Sequence, residues 1–198
     1  MQIMNRKALQ RLGLVSTVCV ALLTDSAFAQ GSDEDINTLR MEVGKAQSKI
    51  SEAFASYSKA PESVFEKSAG VFATVPAMVQ TVKDKLANQR TIFKQRVDKR
   101  KNDQLISEDR RKKSLELYQA KLNEVTDLDE RCKILVSRTD DFLTKDIPRL
   151  KNEFEIDCED FGKADAKKNL GGNLDKIDAQ FRKIFIQIPT TSSDEKKN

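Results

Sequence analysis

The chain has 198 residues, of which 33% are charged and 38% hydrophobic, and its formal net charge is +4. This length suffices for one domain with a real core, and only seven Gly and four Pro argue against a loop-rich or all-β fold. The absence of histidine excludes Ser-His-Asp and Cys-His nucleophile systems and every zinc or iron site that needs imidazole.

The first 29 residues have the pattern of a secretory signal peptide. A basic start, Arg6 to Arg11, precedes a twelve-residue apolar run, Leu12 to Leu23, and Ala27-Phe28-Ala29 matches a small-x-small cleavage site. Twelve helical residues span about 18 Å, too short for the hydrocarbon core of a bilayer, although an uncleaved anchor is the alternative. We therefore expect a protein exported to the bacterial periplasm, or out of the cell, with Gln30 first and no transmembrane segment in the mature chain.

Cleavage at this site leaves two cysteines, Cys132 and Cys158. In an oxidising compartment, two cysteines most simply form one intramolecular disulfide bond. Two free thiols, or a disulfide-linked dimer, are the alternatives.

The mature chain follows helical periodicity almost throughout. A first helix is predicted from Ser32, which can serve as N-cap, to Ala60-Pro61, and a short segment from Glu62 to Phe72 follows it. Its apolar residues alternate spacings of three and four, as in the a/d seam of a coiled coil, and such a seam needs a partner helix from the same chain or from another. The seam consists of Ile36, Leu39, Val43, Ala46, Ile50, Ala53 and Tyr57.

Two further long helices are predicted on either side of a polar turn at Lys101 to Gln104. The earlier helix begins near Thr74 with Pro76 in its first turn, where the missing N–H costs nothing. The later helix opens with Ser107-Glu108-Asp109, and because Asp129 interrupts its apolar stripe, we expect Leu128 to turn inward. The stripe comprises Leu115, Tyr118, Leu122, Val125, Cys132, Leu135, Thr139 and Phe142.

Asp146-Ile147-Pro148 repeats the order of capping residue, aliphatic residue and proline, and predicts that the chain reverses there. Cys132 and Cys158 lie at nearly equal distances from this point, so a hairpin would bring them within the roughly 7 Å that a disulfide needs. The alternative is one kinked helix, because the apolar stripe continues through the tripeptide almost in register. Gly171-Gly172 predicts the next break, with Asn173 as the cap of the last helix.

These patterns predict an all-α fold, an elongated antiparallel helical bundle or a set of coiled-coil hairpins after a cleaved signal peptide. The expected organisation is a signal peptide at 1–29, a single helical domain at 30–188 and a disordered polar tail at 189–198.

Carboxylates are the only catalytic residue type that is plentiful. Glu153, Asp157 and Asp160 share a helical face that would suit Ca²⁺ or Mg²⁺, but no EF-hand loop accompanies them, and a solvated face is the favoured interpretation. The sequence has no phosphate-binding loop and no nucleophile motif. We therefore expect no enzyme activity, no cofactor and no metal.

The segment from Arg90 to Lys113 contains ten basic and four acidic residues. If Lys101 to Gln104 is a hairpin turn, both flanking helices bring basic ends to one tip, which would suit an anionic envelope surface or an acidic partner. Export and the lack of interleaved aromatic residues argue against nucleic acid, and the alternative is a solvated helix end without a partner. The basic tip comprises Arg90, Lys94, Arg96, Lys99, Arg100, Lys101, Arg110, Arg111, Lys112 and Lys113.

The sequence favours a non-enzymatic protein of the bacterial envelope, a structural or adaptor module that contacts a protein partner, or a second copy of itself, through its helix seams. The alternative is a periplasmic holdase-type chaperone or carrier that holds an apolar client between its helices.

Overall fold

The computed structural model describes residues 36–186, and all of the regular elements in this range are helical, so the predicted all-α class is confirmed for them. Helix α1 covers 36–59 and is followed by a 3-10 turn and a short helix, α2. Two long helices, α3 and α4, come next, and a π-helical turn joins α4 to α5, after which α6 completes the described chain. The bounds are Pro61–Ser63 (3-10 turn), Val64–Phe72 (α2), Val75–Lys101 (α3), Glu108–Asp141 (α4), Phe142–Asp146 (π turn), Ile147–Phe161 (α5) and Lys163–Ile186 (α6).

The chain divides into two compact units, Met1–Leu39 and Arg40–Asn198. Of the first unit, only residues 36–39 are described, and Ile36 and Leu39 are buried there. The proposed signal peptide and polar tail lie outside the described residues, and the domain limits remain a prediction.

The apolar seam predicted for the first helix is buried in the structure, from Ile36 to Tyr57. Two polar contacts fix the direction of α1 against α3: Lys49 Nζ donates to Thr74 Oγ1 at 3.0 Å, and Lys85 Nζ lies 3.1 Å from Glu42 Oε1. The later α1 residue meets the earlier α3 residue, so the two helices are antiparallel. From Val43 onward, therefore, the seam is buried within the unit itself.

Four phenylalanine rings form the centre of the unit. Phe72, at the end of α2, lies 4.5 Å from Phe142 and 5.6 Å from Phe181 between ring centroids. Phe54 of α1 lies 5.7 Å from Phe72 and 5.6 Å from both of the other rings. Each such pair contributes on the order of 1 kcal/mol beyond simple burial. This cluster joins α1, α2, the π turn and α6.

Helices α3 and α4 pack as an antiparallel hairpin around the predicted turn. Helix α4 begins at Glu108 after an extended Ser107, as the sequence indicated. Leu128 is buried as expected, but Asp129 is buried beside it and receives Arg90 Nη2 at 2.7 Å and Lys133 Nζ at 3.1 Å. These two cations offset the cost of removing the carboxylate from water.

The expected reversal at Asp146 is wrong, because α4 continues through the π turn into α5 with helical backbone angles. Pro148 in the first turn of α5 cannot donate the hydrogen bond that an α-helix would direct to Thr144, and its ring would crowd that carbonyl. The wider π turn just before it relieves this conflict, so the helix continues past the proline with an altered hydrogen-bond pattern. Arg138 Nη1 binds Asp146 Oδ2 at 2.7 Å across the turn.

The predicted disulfide is therefore not formed, and Cys132 and Cys158 are both free. The two cysteines lie 26 positions apart on one helical path. At a rise of about 1.5 Å per helical residue this corresponds to about 39 Å, whereas a disulfide needs Cα atoms within roughly 7 Å. The nearly equal distances of the two cysteines from Asp146-Ile147-Pro148 do not bring them together, because the chain does not reverse there.

The predicted break at Gly171-Gly172 is also wrong, since α6 runs through both glycines. The chain reverses instead at Gly162, whose φ of +83° lies in the region that favours glycine. After this turn α6 runs antiparallel to α5, with Asn169 donating to Asp157 at 3.0 Å and Asn173 to Glu153 at 3.4 Å. A glycine costs a helix about 1 kcal/mol, and the buried face of α6, which includes Leu170, offsets that cost.

We expect Phe142→Ala to lower the free energy of unfolding by about 3–5 kcal/mol, because it removes the ring that three other phenylalanines contact. Urea denaturation followed by circular dichroism measures the change. Phe161→Ala is the matched control: its side chain is 63% exposed, and the same truncation there should cost less than about 0.5 kcal/mol. Equal losses in the two variants would contradict the central position of the cluster.

We expect non-reducing peptide mapping of the purified protein to find no Cys132–Cys158 crosslink. Burial, followed by the negative charge of Asp129, raises the pKa of the Cys132 thiol to about 11, while Cys158 is only half-buried. In the folded protein at pH 8, Cys132 should therefore be alkylated at least about a hundredfold more slowly than Cys158. In denaturant the two rates should become equal, and a crosslinked peptide would refute the continuous helix.

Candidate interaction site at the α3–α4 turn

The fold brings the two basic segments of the sequence together. Lys101 ends α3, Glu108 begins α4, and the antiparallel packing of these helices places both ends beside the turn at 102–107. The turn is braced by Arg100 Nη1, which binds Asp103 Oδ2 at 2.8 Å, and by the backbone N–H of Leu105, which donates to Asp103 Oδ1 at 3.1 Å. The basic tip is thus the closed end of a helical hairpin.

Three of the ten basic residues have partners inside the hairpin. Arg90 binds the buried Asp129, and Arg100 binds Asp103. The guanidinium carbon of Arg96 lies 5.4 Å from the ring centroid of Phe93 and 5.7 Å from that of Tyr118, as in a cation–π contact. These three residues hold α3 to α4 or brace the turn.

The other seven basic residues form no ion pair with any residue in the described range, 36–186. We call them the seven tip cations, and all but the half-buried Arg111 are exposed. Three carboxylates, those of Asp98, Glu108 and Asp109, lie in the same segment outside the Arg100–Asp103 pair, so the charge of the tip stays positive. The seven are Lys94, Lys99, Lys101, Arg110, Arg111, Lys112 and Lys113.

Sequence reasoning missed an apolar residue at the centre of this site. Leu105 lies in the turn, and its side chain is 97% exposed, the largest exposed fraction of any large apolar side chain that the structure describes. The signal was present in the sequence, where Leu105-Ile106 interrupts an otherwise polar turn between two charged segments. The site therefore combines a cluster of cations with one protruding apolar side chain.

An open groove lies next to the tip, between the end of α3 and the first turns of α4. Its volume is about 490 Å³, and its lining includes Val97, Leu115 and Ala120, with Lys101 and Glu116 among its polar residues. This size is within the range of small-molecule sites, but such sites are usually enclosed, whereas this groove is a surface channel.

Two of the three carboxylates on the acidic face of α5 form contacts within the chain. Glu153 accepts from Arg149 at 2.8 Å and from Asn173, and Asp157 accepts from Asn169. Within residues 36–186 no group of three or more cysteine or carboxylate side chains is placed to hold a metal ion. In the same range, no helix combines the length and apolar character needed to cross a bilayer.

The chain matches no protein-family model, and comparison with curated proteins and with solved structures finds no significant relative of either kind. The arrangement of its own residues therefore carries the argument about function.

Proposed function

We propose that this chain is a non-enzymatic, exported adaptor of the bacterial envelope that binds an anionic partner through the basic tip. The observation that carries the proposal is the position of the seven tip cations, which are gathered at the closed end of one hairpin with no ion pair among the described residues. Export is inferred from the charged start, apolar run and cleavage pattern of the first 29 residues.

The tip differs from the rest of the unit because its unpaired cations are clustered. Elsewhere several cations are paired, and lysines that form no ion pair with a described residue, such as Lys59, Lys67 and Lys168, are dispersed over α1, α2 and α6. On α6, Lys167 Nζ lies 2.8 Å from Glu62 Oε2, and Lys163 lies 3.2 Å from the other oxygen of the same carboxylate. On α5, Arg149 binds Glu153. Charges that are held together without compensation repel one another, and an anionic partner relieves that repulsion.

The non-enzymatic part of the proposal rests on the available side chains. The chain has no histidine, so an acid–base mechanism near neutral pH would require a carboxylate, lysine or thiol with a shifted pKa. The Cys132 thiol has its pKa raised rather than lowered, which suits a buried structural residue. On the acidic face of α5, Glu153 is engaged in an ion pair with Arg149 and Asp157 accepts a hydrogen bond from Asn169.

The holdase alternative receives less support, because a chaperone of that kind needs a continuous apolar surface for its client. Within residues 36–186, the exposed large apolar residues are dispersed over α1, the α3–α4 turn, α4 and α5, as single exposed residues normally are. They are Met41, Leu105, Leu117, Ile134, Ile156 and Phe161.

We expect a variant with Arg110, Arg111, Lys112 and Lys113 changed to Gln to bind washed bacterial envelope membranes at least about tenfold more weakly than the unaltered protein at low salt. The fold should survive, since Gln is nearly as good a helix former as Lys or Arg. Co-sedimentation measures binding, and circular dichroism checks the helices. Binding by the unaltered protein should also fall steeply as salt screens the charges.

The matched control changes four exposed lysines that lie away from the tip and form no ion pair with any described residue: Lys59, Lys67, Lys168 and Lys183. This variant loses the same charge, so equal weakening in both would mean only general cationic attraction and would contradict the proposal. Suppressed aggregation of an unfolded outer-membrane protein, with no tip-dependent membrane binding, would favour the holdase instead.

A further inference from the structure

We infer that the partner of the basic tip is an anionic phospholipid bilayer, which the hairpin meets end-on, with Leu105 entering the interface between headgroups and acyl chains. The inference rests on the proposed function and names the chemical class of its partner. Three features of the described residues support it: the distribution of the cations around α4, their depth along the hairpin, and the exposure of Leu105.

The cations of α4 point in too many directions for a partner that docks on one helix face. Arg110, Arg111, Lys112 and Lys113 are consecutive, and successive residues of an α-helix are rotated by about 100°, so the four side chains cover about 300° of the circumference. A protein lying along the hairpin would contact two of them at most. A plane that crosses the end of the hairpin is within reach of all four.

The positions of the cations along the axis of the hairpin also fit an end-on contact with a membrane. The four residues span only about 4.5 Å along the axis of α4, close to its first turn. Lys99 and Lys101 lie in the last turn of α3, beside the same end. Electrostatic attraction to an anionic membrane decays within a Debye length of about 8 Å at physiological ionic strength, and most of the seven tip cations fall within that distance of the turn.

Leu105 adds burial of apolar surface to a contact that the cations alone would make purely electrostatic. Its side chain is 97% exposed at the outermost part of the hairpin, where burial in the interface would remove apolar surface from water. The neighbouring residues 101 and 102 at the end of α3, and 104, are polar and exposed, so Leu105 is surrounded by groups that suit phosphate headgroups. One apolar side chain within a ring of cations is the arrangement expected of a peripheral membrane contact rather than of a spanning segment.

The chain contains no tryptophan, so L105W introduces a single tryptophan at the tip, which can be excited selectively over the two tyrosines. The probe membranes are protein-free vesicles of phosphatidylglycerol and phosphatidylcholine in equal parts, and vesicles of phosphatidylcholine alone. With the anionic vesicles we expect the emission of L105W to shift to the blue and to be quenched by brominated lipid. With the neutral vesicles neither change should occur.

I156W is the matched control, because Ile156 is 49% exposed on α5, away from the tip. Its emission should be unchanged while the protein is bound. In the chain without tryptophan, L105S should weaken binding to anionic vesicles about tenfold, and the fourfold Gln variant by about a hundredfold or more.

Two results would overturn the inference. If L105W binds the anionic vesicles with unchanged emission, the tip does not enter the interface. If protein-free vesicles fail to bind while envelope membranes still bind in a tip-dependent way, the partner is an acidic protein, and the adaptor function stands without the lipid. If the fourfold Gln variant and the lysine control bind envelope membranes equally well, the adaptor function itself is contradicted.

Discussion

The packing of Phe54, Phe72, Phe142 and Phe181 is the contact on which the arrangement of the helices depends. Each ring comes from a different part of the chain, and the centroids of the closest pair are 4.5 Å apart. Because protein cores are packed as densely as organic crystals, these rings leave little freedom for the segments that carry them. Through these rings α1 and α2 are held against the π turn, and α6 is held against all three. The α3–α4 hairpin extends from this fixed base to the basic tip.

The helices themselves could be predicted from the sequence because apolar spacing is a local property. The seam from Ile36 to Tyr57, the start of α4 after Ser107 and the proline in the first turn of α3 all lie where the periodicity placed them. Chain reversals are different, since an apolar stripe looks the same whether a helix continues or turns back. Pro148 does lie in the first turn of α5, as predicted, but the chain continues there instead of reversing. Gly171-Gly172 resembled a break, yet α6 runs through both glycines, and the reversal lies at Gly162.

Much of the candidate site was also visible in the sequence, because charge is a property of composition. What the sequence did not show is which cations are engaged. Arg90 binds a carboxylate 39 residues away on the partner helix, and Arg96 rests on a ring of that helix as well as one of its own. Such contacts depend on the register between α3 and α4, which no single segment encodes. The exposure of Leu105 likewise depends on the turn projecting it away from both helices.

The π turn at Phe142–Asp146 changes the direction in which side chains point about the axis of a single long helix. A wider turn takes up one residue more than an α-helical turn, so everything after it is rotated by about 100° about the axis relative to an uninterrupted helix. Within and after this turn the long helix meets the same two neighbours: Phe142 contacts Phe72 of α2 and Phe181 of α6, while Phe154 contacts Phe65 of α2, at 5.8 Å between centroids, and α5 packs along α6. One surplus residue thus lets a helix that contains a proline stay in contact with α2 and α6 along its length, a task that would otherwise require a loop and a separate helix.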